Sequence, residues 1–516
     1  MIYLYSLPGI NLTYPEITNP MIKGNLNKNK CSSKHIDLTE DFLSLLKNDK
    51  EFFCAFNMIK SSDLLFEDRL RYNDKISLCI QKYFNKYNID YVKKAMSIKT
   101  NINTVSKLDD FLNSGSIELE VFDSIFDISN IKNGDYIYVN VAYNFQFPYA
   151  LRFAKKIKDN CDVKVILGGN YLTHIKDNVL EIMEKFDYID SIFYYANYDS
   201  LYKIISFFEN ENNKLDCDCI VRKSCLKEFT MNGVETNDFT TPDFSDITFE
   251  NYLSYKNVAP MLLSKGCYYN KCNFCAHHYF YKCRQLLDVD NICECVKCLV
   301  ETKKIEGIIF VDECINPKDI FCFANYLIEN NIKINWLMET RISADYLDDE
   351  NCCLLEKSGC KLITFGVESA SQRVLNLMNK GIEFKLAKRV LKKIFNTNII
   401  VSSTYMIGYP NERKYETNKT LYYLKRFKYL DGFGINQFNF VRNSKIATDS
   451  KVNVKDSMDL FYSYRGQKKE YYHNKIVKLY SNKKINKYKK LRDALLNRSD
   501  YLFLNKSDIS LNFKSN

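Results

Sequence analysis

Long apolar runs and export signals are absent from this 516-residue sequence. No stretch reaches the roughly 18 consecutive apolar residues that a membrane-spanning helix needs. The amino terminus, MIYLYSLPGINLTYPEI, lacks the basic segment and long apolar stretch of a secretory signal peptide. We therefore expect a cytoplasmic protein that has no membrane partner.

The sequence also lacks a basic block interleaved with aromatic residues, the pattern typical of a nucleic-acid groove. Its net charge is +10, and the most basic part lies near the carboxyl terminus. A solvated helix face explains those lysines as well as a binding partner does. We expect no nucleic-acid partner.

Cysteine, in contrast, is abundant, with 19 residues scattered through segments of core-like pattern. Without an export signal, this pattern favours free thiols in a reducing compartment over a disulfide framework. Three cysteines stand close together in LSKGCYYNKCNFCAHH, residues 263–278: Cys267, Cys272 and Cys275. Thiolates so close on one loop can converge on a soft metal centre.

Three thiolates are one too few for a closed structural zinc site, which takes four ligands. An iron–sulfur cube held by three thiolates leaves one iron open for a ligand from outside the protein. The alternative is a zinc knuckle whose fourth ligand is His277, His278 or Cys283.

Six strand-like runs alternate with helical patterns between residues 259 and 445. This alternation predicts parallel β/α repeats that form a partial barrel, in which chemistry lies at the carboxyl ends of the strands. Distinctive residues follow the predicted strands: Asp312 and Glu313 the second, Arg341 the third, Glu368 the fourth and Gly408 the fifth.

Together with the cysteine loop, this series resembles that of radical S-adenosylmethionine (radical SAM) enzymes. The family shows f-x-D-[DE], an arginine, G-x-E-S-x-S-x-x-v-L-x-x-M-x-K-G and a glycine–proline turn in this order. The chain has FVDE at 310–313, Arg341, GVESASQRVLNLMNKG at 366–381 and MIGYP at 406–410. Four residues separate the first two cysteines, where the family usually has three.

The resemblance implies that Cys267, Cys272 and Cys275 hold a [4Fe–4S] cluster whose open iron is chelated by SAM. Electron transfer would cleave SAM to methionine and a 5′-deoxyadenosyl radical. Carboxylates suit the amine or the ribose hydroxyls of SAM, arginine suits its carboxylate, and the fifth strand end suits the adenine. The residues expected to bind SAM are Phe274, Asp312, Arg341, Gly366, Glu368, Ser369, Met406, Ile407 and Gly408.

Residues 131–215 alternate between strand-like and helical patterns, which predicts a doubly wound, Rossmann-like sheet. The region resembles the cobalamin-binding domain that precedes the radical SAM core in one branch of the family. The D-x-H-x-x-G motif of such domains is absent here, as it is in many members of that branch. The alternative is a Rossmann-like domain that has lost its ligand or binds a partner. The residues expected to bind cobalamin are Asn144, Gln146, Gly168, Gly169 and Asn170.

The predicted organisation is α/β: a Rossmann-like domain over 1–215, a linker over 216–258, a partial (β/α)6 barrel over 259–445 and a small helical cap over 446–516. Two further cysteine groups could bind metal, but a short strand and a helix explain them better: Cys217, Cys219 and Cys225 in the first case, and Cys293, Cys295 and Cys298 in the second.

If both resemblances hold, they imply a cobalamin-dependent methyltransferase acting on an unactivated carbon of a peptide or small metabolite. Methylcobalamin would donate the methyl group, and a cellular one-electron reductant would be required. Two alternatives remain: a radical rearrangement, epimerisation or crosslink without methyl transfer, and a non-catalytic iron–sulfur or cobalamin sensor.

Overall fold

The chain forms two compact α/β units in a computed structural model. Of the described residues, the first unit comprises 1–60 and 74–253, and the second comprises 61–73 and those from 254 onward. The structure describes residues 1–9, 11–62, 64–92, 95–100, 102–195, 197–230, 240–280, 285–449, 464–465, 469–481, 498–504 and 506.

A seven-stranded sheet organises the first unit in the order β2-β1-β5-β6-β7-β8-β9. The first five strands of this order are parallel, whereas β8 and β9 run antiparallel to their neighbours. A separate antiparallel pair is formed by β3 and β4. The strands are β1 Ile2–Ser6, β2 Ser33–Asp37, β3 Asp90–Val92, β4 Ala95–Ser97, β5 Tyr136–Asn140, β6 Lys164–Gly168, β7 Ser191–Phe193, β8 Cys219–Lys223 and β9 Cys225–Phe229.

The α-helices that precede Ser254 alternate with these strands as a doubly wound sheet requires. They are α1 Thr18–Lys28, α2 Leu38–Leu46, α3 Lys50–Lys60, α4 Phe66–Lys86, α5 Val105–Leu112, α6 Gln146–Asn160, α7 Asn170–His174, α8 Val179–Lys185 and α9 Ser200–Glu209. Three short 3₁₀ helices span Ile117–Ile125, Lys176–Asn178 and Phe249–Asn251.

The central strands of the sheet are buried, as is typical of parallel sheets covered on both faces. β1 is buried along its whole length and β5 along all but its first residue. The Rossmann-like prediction is therefore confirmed. The predicted linker, 216–258, needs correction, because it contributes β8 and β9 to the sheet and stays in the first unit as far as Leu253. The apolar residues Ile220 and Val221 are buried, which explains why this segment pairs with β7.

Six parallel strands form the main sheet of the second unit, in the order β10-β13-β14-β15-β16-β17. No pairing joins β10 to β17 among the described residues, so the sheet is open, as a partial barrel requires. The strands of this unit are β10 Val258–Met261, β11 Ser264–Lys265, β12 Gln285–Leu286, β13 Gly307–Phe310, β14 Asn335–Thr340, β15 Cys360–Glu368, β16 Ile400–Ile407, β17 Gly432–Gln437, β18 Asn439–Phe440 and β19 Tyr464–Arg465.

Helices connect these strands in a repeating β/α pattern, which confirms the predicted fold class. They are α10 His277–Phe280, α11 Val289–Lys303, α12 Pro317–Glu329, α13 Asp349–Lys357, α14 Gln372–Leu377, α15 Phe384–Phe395, α16 Lys414–Arg426, α17 Lys445–Asp449 and α18 Lys469–Tyr480. Two 3₁₀ helices span Ala344–Leu347 and Arg498–Phe503. Much of the predicted cap, 446–516, lies outside the described residues.

Aromatic packing holds the second sheet to its helices. Trp336 of β14 is fully buried, and the rings of Phe310 and Phe323 pack edge-on against it at centroid distances of 6.0 and 5.9 Å. Its indole nitrogen donates to the Ser358 carbonyl at 3.0 Å, which satisfies the one polar group of the side chain. Each such burial contributes about 2–3 kcal/mol to stability.

Within the part of the chain that the structure describes, no helix is both long and apolar enough to span a membrane.

Candidate active site

The cysteine loop, residues 266–276, follows β11 and carries the three predicted ligands. The thiols of Cys267, Cys272 and Cys275 are free and partly exposed. Gly266 enters the loop with φ of +83°, a backbone conformation that favours glycine. The loop therefore presents three thiols that form no disulfide, and it follows the first strand of the sheet closely in sequence.

Two carboxylates anchor the start of this loop. Asp312 accepts hydrogen bonds from the backbone nitrogens of Leu263 and Ser264, the latter at 2.6 Å, and from the Ser264 hydroxyl at 3.0 Å. Glu313 accepts one from the Gly266 nitrogen at 3.1 Å. Burial raises the pKa of Asp312 to about 7. The Asp312 carboxylate thus positions the start of the loop, and its contact with the amine or ribose of SAM stays a prediction.

The middle of the loop packs on a docking turn, residues 377–381. The Asn273 backbone nitrogen donates to the Met378 carbonyl and its side-chain nitrogen donates to the Leu377 carbonyl, both at 2.9 Å. Phe274, predicted to bind SAM, packs on an apolar cluster of the same unit that includes Met378 and Tyr409. Phe274 therefore packs the part of the loop next to Cys275 against that cluster.

A second contact fixes the same pair of segments. The Tyr269 hydroxyl donates to the Asn379 carbonyl at 2.8 Å, and the Asn379 side chain donates to the Lys271 carbonyl at 2.9 Å. Gly381 has φ of +66°, and a Cβ built there would lie 2.1 Å from the Tyr269 oxygen. The last glycine of the M-x-K-G motif is therefore the notch that receives Tyr269.

Arg341 lies buried at the end of β14, facing this contact. Its Nη2 donates to the carbonyls of Lys380 at 2.6 Å and Gly381 at 3.3 Å, and its guanidinium stacks 3.4 Å from the Tyr269 ring centroid. Its Nη1 is buried and has no hydrogen-bond partner among the described residues. A buried guanidinium with one unused donor is suited to an anionic ligand such as a carboxylate.

Glu368 ends β15 and forms a buried ion pair with Lys380, with 3.0 Å between Oε1 and Nζ. The backbone of Glu368 has φ of +70° beside a β-bulge, a conformation that non-glycine residues rarely adopt. A Cβ built at Gly366 would lie 2.9 Å from both Glu368 Oε1 and Lys380 Nζ. Glycine at 366 therefore leaves room for the pair.

Ser369, also predicted to bind SAM, contacts residues at the start of α14 and within α16. It is fully buried, and its hydroxyl accepts a hydrogen bond from the Ser371 nitrogen at 3.1 Å and lies 3.4 Å from the Thr420 hydroxyl. Its side chain is occupied within the unit, so it does not join the carboxylate and guanidinium described above.

The end of β16 separates its predicted ligands by face. Met406 and Gly408 are half-buried, whereas Ile407 is fully buried, as expected for side chains that alternate across a strand. Gly408 has φ of +84°, and a Cβ built there would lie 2.9 Å from the Tyr472 ring of α18. Its nitrogen donates to Glu412 at 2.5 Å. Met406 and Gly408, but not Ile407, therefore lie on the half-buried face.

The thiols differ in their electrostatic surroundings. A hydrogen bond from Cys314 lowers the pKa of Cys267 to about 5, and burial raises the pKa of Cys275 to about 11. Burial also raises the pKa of Cys272, against the positive charge of Lys380. Cys314 follows the second strand of the sheet and is buried, so it is a fourth thiol at the site that sequence reasoning missed.

No three or more His, Cys, Asp or Glu side chains converge on a single-ion site among the described residues. The cysteines of an iron–sulfur cube bind separate irons and need no such convergence. Three free thiols on one loop and the Arg341 Nη1, which has no partner among the described residues, are the donors that a cube with SAM on its open iron would need. Lys380, Glu313 and Tyr269 were missed as site residues, although all three stand in or beside the motifs already singled out.

The other cysteines considered as metal ligands lie on or beside strands and along a helix. Cys219 and Cys225 lie on strands, and the buried Cys217 thiol is 3.5 Å from that of Cys219. Cys293, Cys295 and Cys298 lie along α11, with burial falling from the first to the last. The His278 Nδ1 lies 3.0 Å from the Cys275 carbonyl, and Cys283 is outside the described residues.

A second candidate site lies in the first unit, at the carboxyl edge of its sheet. The chain leaves β1 toward β2 on one side and β5 pairs on the other, so β1 and β5 form the topological switch point where such sheets bind ligands. Ser6 and Asn140 end these strands, and Glu16 bridges them. The Ser6 hydroxyl donates to Glu16 Oε1 at 2.9 Å, and the Asn140 side chain donates to Oε2.

A buried polar layer supports this bridge. The Ser6 hydroxyl accepts from Asn19 at 2.8 Å and lies 2.9 Å from His35 Nε2. Burial lowers the pKa of His35 to about 3, so this imidazole is neutral. Sequence reasoning missed Glu16 and His35, because neither belongs to a motif and their meeting depends on the strand order.

The predicted cobalamin ligands lie at the same edge, but most are engaged by the protein itself. Gln146 accepts from the nitrogens of residues 142 and 143 at 3.0 Å and donates to the carbonyls of residues 7 and 8. A Cβ at Gly168 would lie 2.4 Å from the Phe193 ring, and one at Gly169 2.6 Å from Asn140 Oδ1. Asn144 accepts locally from the nitrogen of residue 145, and Asn170 is exposed.

We expect Glu16→Gln to stabilise the first unit at alkaline pH. Burial, and then Asp37, raise the pKa of Glu16 from 4.5 to about 7. A carboxyl group whose folded pKa is raised favours the folded state when protonated, so wild-type stability falls as pH rises from about 4.5 to 7. The variant should gain up to about 3 kcal/mol at pH 8 and little at pH 4.5.

Thermal unfolding at pH 4.5, 6 and 8 would measure this difference. Glu181→Gln, on the exposed side of α8, is the matched control and should leave the pH profile unchanged. Parallel wild-type and Glu16→Gln profiles would show that this carboxyl is ionised at no cost.

Comparison with known proteins finds a family match within the second unit. Residues 261–421 match the profile of the Radical SAM superfamily. Anaerobic magnesium-protoporphyrin IX monomethyl ester cyclase from Rubrivivax gelatinosus is 23% identical over 291 residues, covering 54% of this chain and 51% of that protein. Bacteriochlorophyllide d C-12(1)-methyltransferase from Chlorobaculum tepidum is 25% identical over 196 residues, covering 37% of this chain and 42% of that protein. The chain thus spans about half of such relatives or less.

Two solved structures share the fold of most of the chain. The cobalamin-dependent SAM radical enzyme OxsB, with aqua-cobalamin and SAM bound, superposes with a TM-score of 0.56 at 14% identity, covering 89% of this chain and 56% of OxsB. The radical SAM methyltransferase TsrM from Kitasatospora setae, with tryptophan and a SAM analogue bound, gives 0.57 at 11% identity, covering 86% and 75%. At this identity the likeness concerns the fold.

Proposed function

We propose that this chain, whose residues 261–421 belong to the radical SAM superfamily, is a cobalamin-dependent methyltransferase that acts on an unactivated carbon. A radical SAM domain implies a [4Fe–4S] cluster and SAM. The observation that carries the proposal is the junction of the cysteine loop with Arg341, Glu368 and the docking turn. The fold shared with cobalamin-dependent enzymes supports the methyl transfer.

The cluster, when bound, supplies the electron that cleaves SAM to methionine and a 5′-deoxyadenosyl radical. Cys267, Cys272 and Cys275 hold three of its irons. Arg341 binds the carboxylate of SAM through the Nη1 that has no partner among the described residues, and Glu368 binds its amine. Asp312 holds the start of the loop in place, because its carboxylate accepts hydrogen bonds from two backbone nitrogens and a hydroxyl.

Cobalamin, when bound, supplies the methyl carrier, and the carboxyl edge of the first sheet is the place in that unit suited to it. Ser6, Glu16 and Asn140 give this edge a polar floor at the switch point. The substrate is a peptide or small metabolite, and a one-electron reductant of the cell restores the cluster.

An anaerobic assay tests this function. The protein would be reconstituted with iron and sulfide, mixed with hydroxocobalamin, SAM and dithionite, and examined for 5′-deoxyadenosine and S-adenosylhomocysteine. Both products, together with cobalamin that stays bound through desalting, support the proposal. Deoxyadenosine alone would favour a radical reaction without methyl transfer. An iron-loaded protein that forms neither product would favour a sensor.

A further inference from the structure

We propose that Lys380 is a positioning residue that sets the reduction potential of the cluster, through a charge that Glu368 holds in place. The inference rests on the radical SAM function proposed above. Lys380 is 7% exposed, and its Nζ lies 3.0 Å from Glu368 Oε1. Neither side chain can leave this place without burying an unpaired charge, which is costly.

The position of Lys380 is fixed from several sides. Its carbonyl accepts from Arg341 Nη2 at 2.6 Å, and its Nζ lies 5.7 Å from the Phe274 ring centroid. Its backbone nitrogen donates to the Leu375 carbonyl at 2.9 Å. The absent side chain of Gly366 leaves the space into which the ammonium fits. Lys380 is thus held by its own backbone rather than free to move along the surface.

This charge lies beside the thiols that hold the cluster. Phe274 adjoins Cys275 in the sequence and lies beneath the Lys380 ammonium. The cysteine loop is also joined to the turn that carries Lys380, because Asn273, next to Cys272, donates to the carbonyls of Leu377 and Met378 at 2.9 Å. A positive charge held at this place in a poorly solvated site stabilises an added electron on the cluster, because screening by water is weak there.

The two members of the ion pair carry opposite charges, so each can be removed separately. Removing the ammonium and removing the carboxylate change the charge near the cluster in opposite directions. Lys380→Met should therefore make the midpoint potential more negative, and Glu368→Gln should make it less negative. The double variant, which is neutral like the wild-type pair, should return toward the wild-type value.

An EPR-monitored redox titration of the cluster, without SAM and without cobalamin, measures these potentials. We expect Lys380→Met and Glu368→Gln each to change the reduced-to-oxidised ratio at a fixed potential about tenfold, which is 59 mV for a one-electron couple. Lys380→Arg should restore the wild-type value. Lys385→Met, which removes an exposed lysine of α15, is the matched control and should shift nothing.

Shifts of the same sign in both single variants, or a Lys380→Met potential equal to that of Lys385→Met, would overturn the inference. The double variant keeps the test valid if Lys380→Met alone loses its cluster. The failure of this inference and the failure of the proposed function are distinguishable. A wild-type protein that binds its cluster yet cleaves no SAM would refute the proposed function. Opposite shifts of the midpoint potential in Lys380→Met and Glu368→Gln would still uphold the role of Lys380.

Discussion

Replacing Cys267, Cys272 and Cys275 together by alanine is expected to abolish SAM cleavage, with 5′-deoxyadenosine falling more than about 1,000-fold to background. The three thiols are free and partly exposed on one loop. In the proposed function, these three thiolates hold the cube and leave one iron open, and no electron would reach SAM without the cube. The measurement is iron and sulfide content followed by product formation under dithionite.

A matched control separates this effect from a general loss of thiols. Cys298 lies on α11 in the same unit and is exposed, so Cys298→Ala should retain iron, sulfide and deoxyadenosine formation. A triple variant that still forms deoxyadenosine would contradict the cluster assignment. A wild-type protein that purifies anaerobically with zinc and without iron would support the alternative interpretation of the loop as a zinc knuckle.

Arg341→Leu is expected to weaken SAM binding roughly 10- to 100-fold in cluster-loaded protein, because a hydrogen bond to a charged partner contributes about 1.5–3 kcal/mol. The buried Nη1, which has no partner in the described part of the chain, is the donor that the SAM carboxylate would engage. Arg341→Lys keeps the charge but loses the forked geometry, so it should fall between wild type and Arg341→Leu. Equilibrium dialysis with labelled SAM gives the dissociation constants.

Two measurements show whether the loss arises at the SAM site. Arg389→Leu removes an exposed arginine of α15 and should leave the affinity within twofold of wild type, within about 0.4 kcal/mol. Iron content should stay unchanged in Arg341→Leu, since Asp312, Glu313 and Asn273 still hold the cysteine loop. An affinity equal to that of wild type would place the SAM carboxylate elsewhere.

Local pattern predicted the β/α repeats because buried strands and amphipathic helices carry their own periodicity. It also located the cysteine loop, Arg341 and Glu368, because each stands at a strand end within a recognisable motif. That Asp312, Ser369 and Ile407 bind SAM stays a prediction, since a motif shows which residues are present but not which way each side chain faces. Alternation along β16 and the hydrogen bonds of Asp312 and Ser369 depend on packing.

Contacts between distant segments were beyond the reach of the sequence. Glu16 and Asn140 are 124 residues apart, and their meeting requires that β1 and β5 be neighbours. The pairing of Lys380 with Glu368 depends on a bulge and on the left-handed backbone of Glu368. The linker assignment of 216–258 was wrong for the same reason, because antiparallel pairing of β8 with β7 joins that segment to the first sheet.

The cysteine loop and the docking turn behave as one exchangeable cassette, although about 110 residues separate them. Tyr269 occupies the notch at Gly381, and Asn273 donates hydrogen bonds to two carbonyls of the turn. A chimaera that carries a cysteine loop from another enzyme would therefore lack the matching contacts for that loop unless the turn were transplanted as well. In protein engineering, the two segments would have to be moved together.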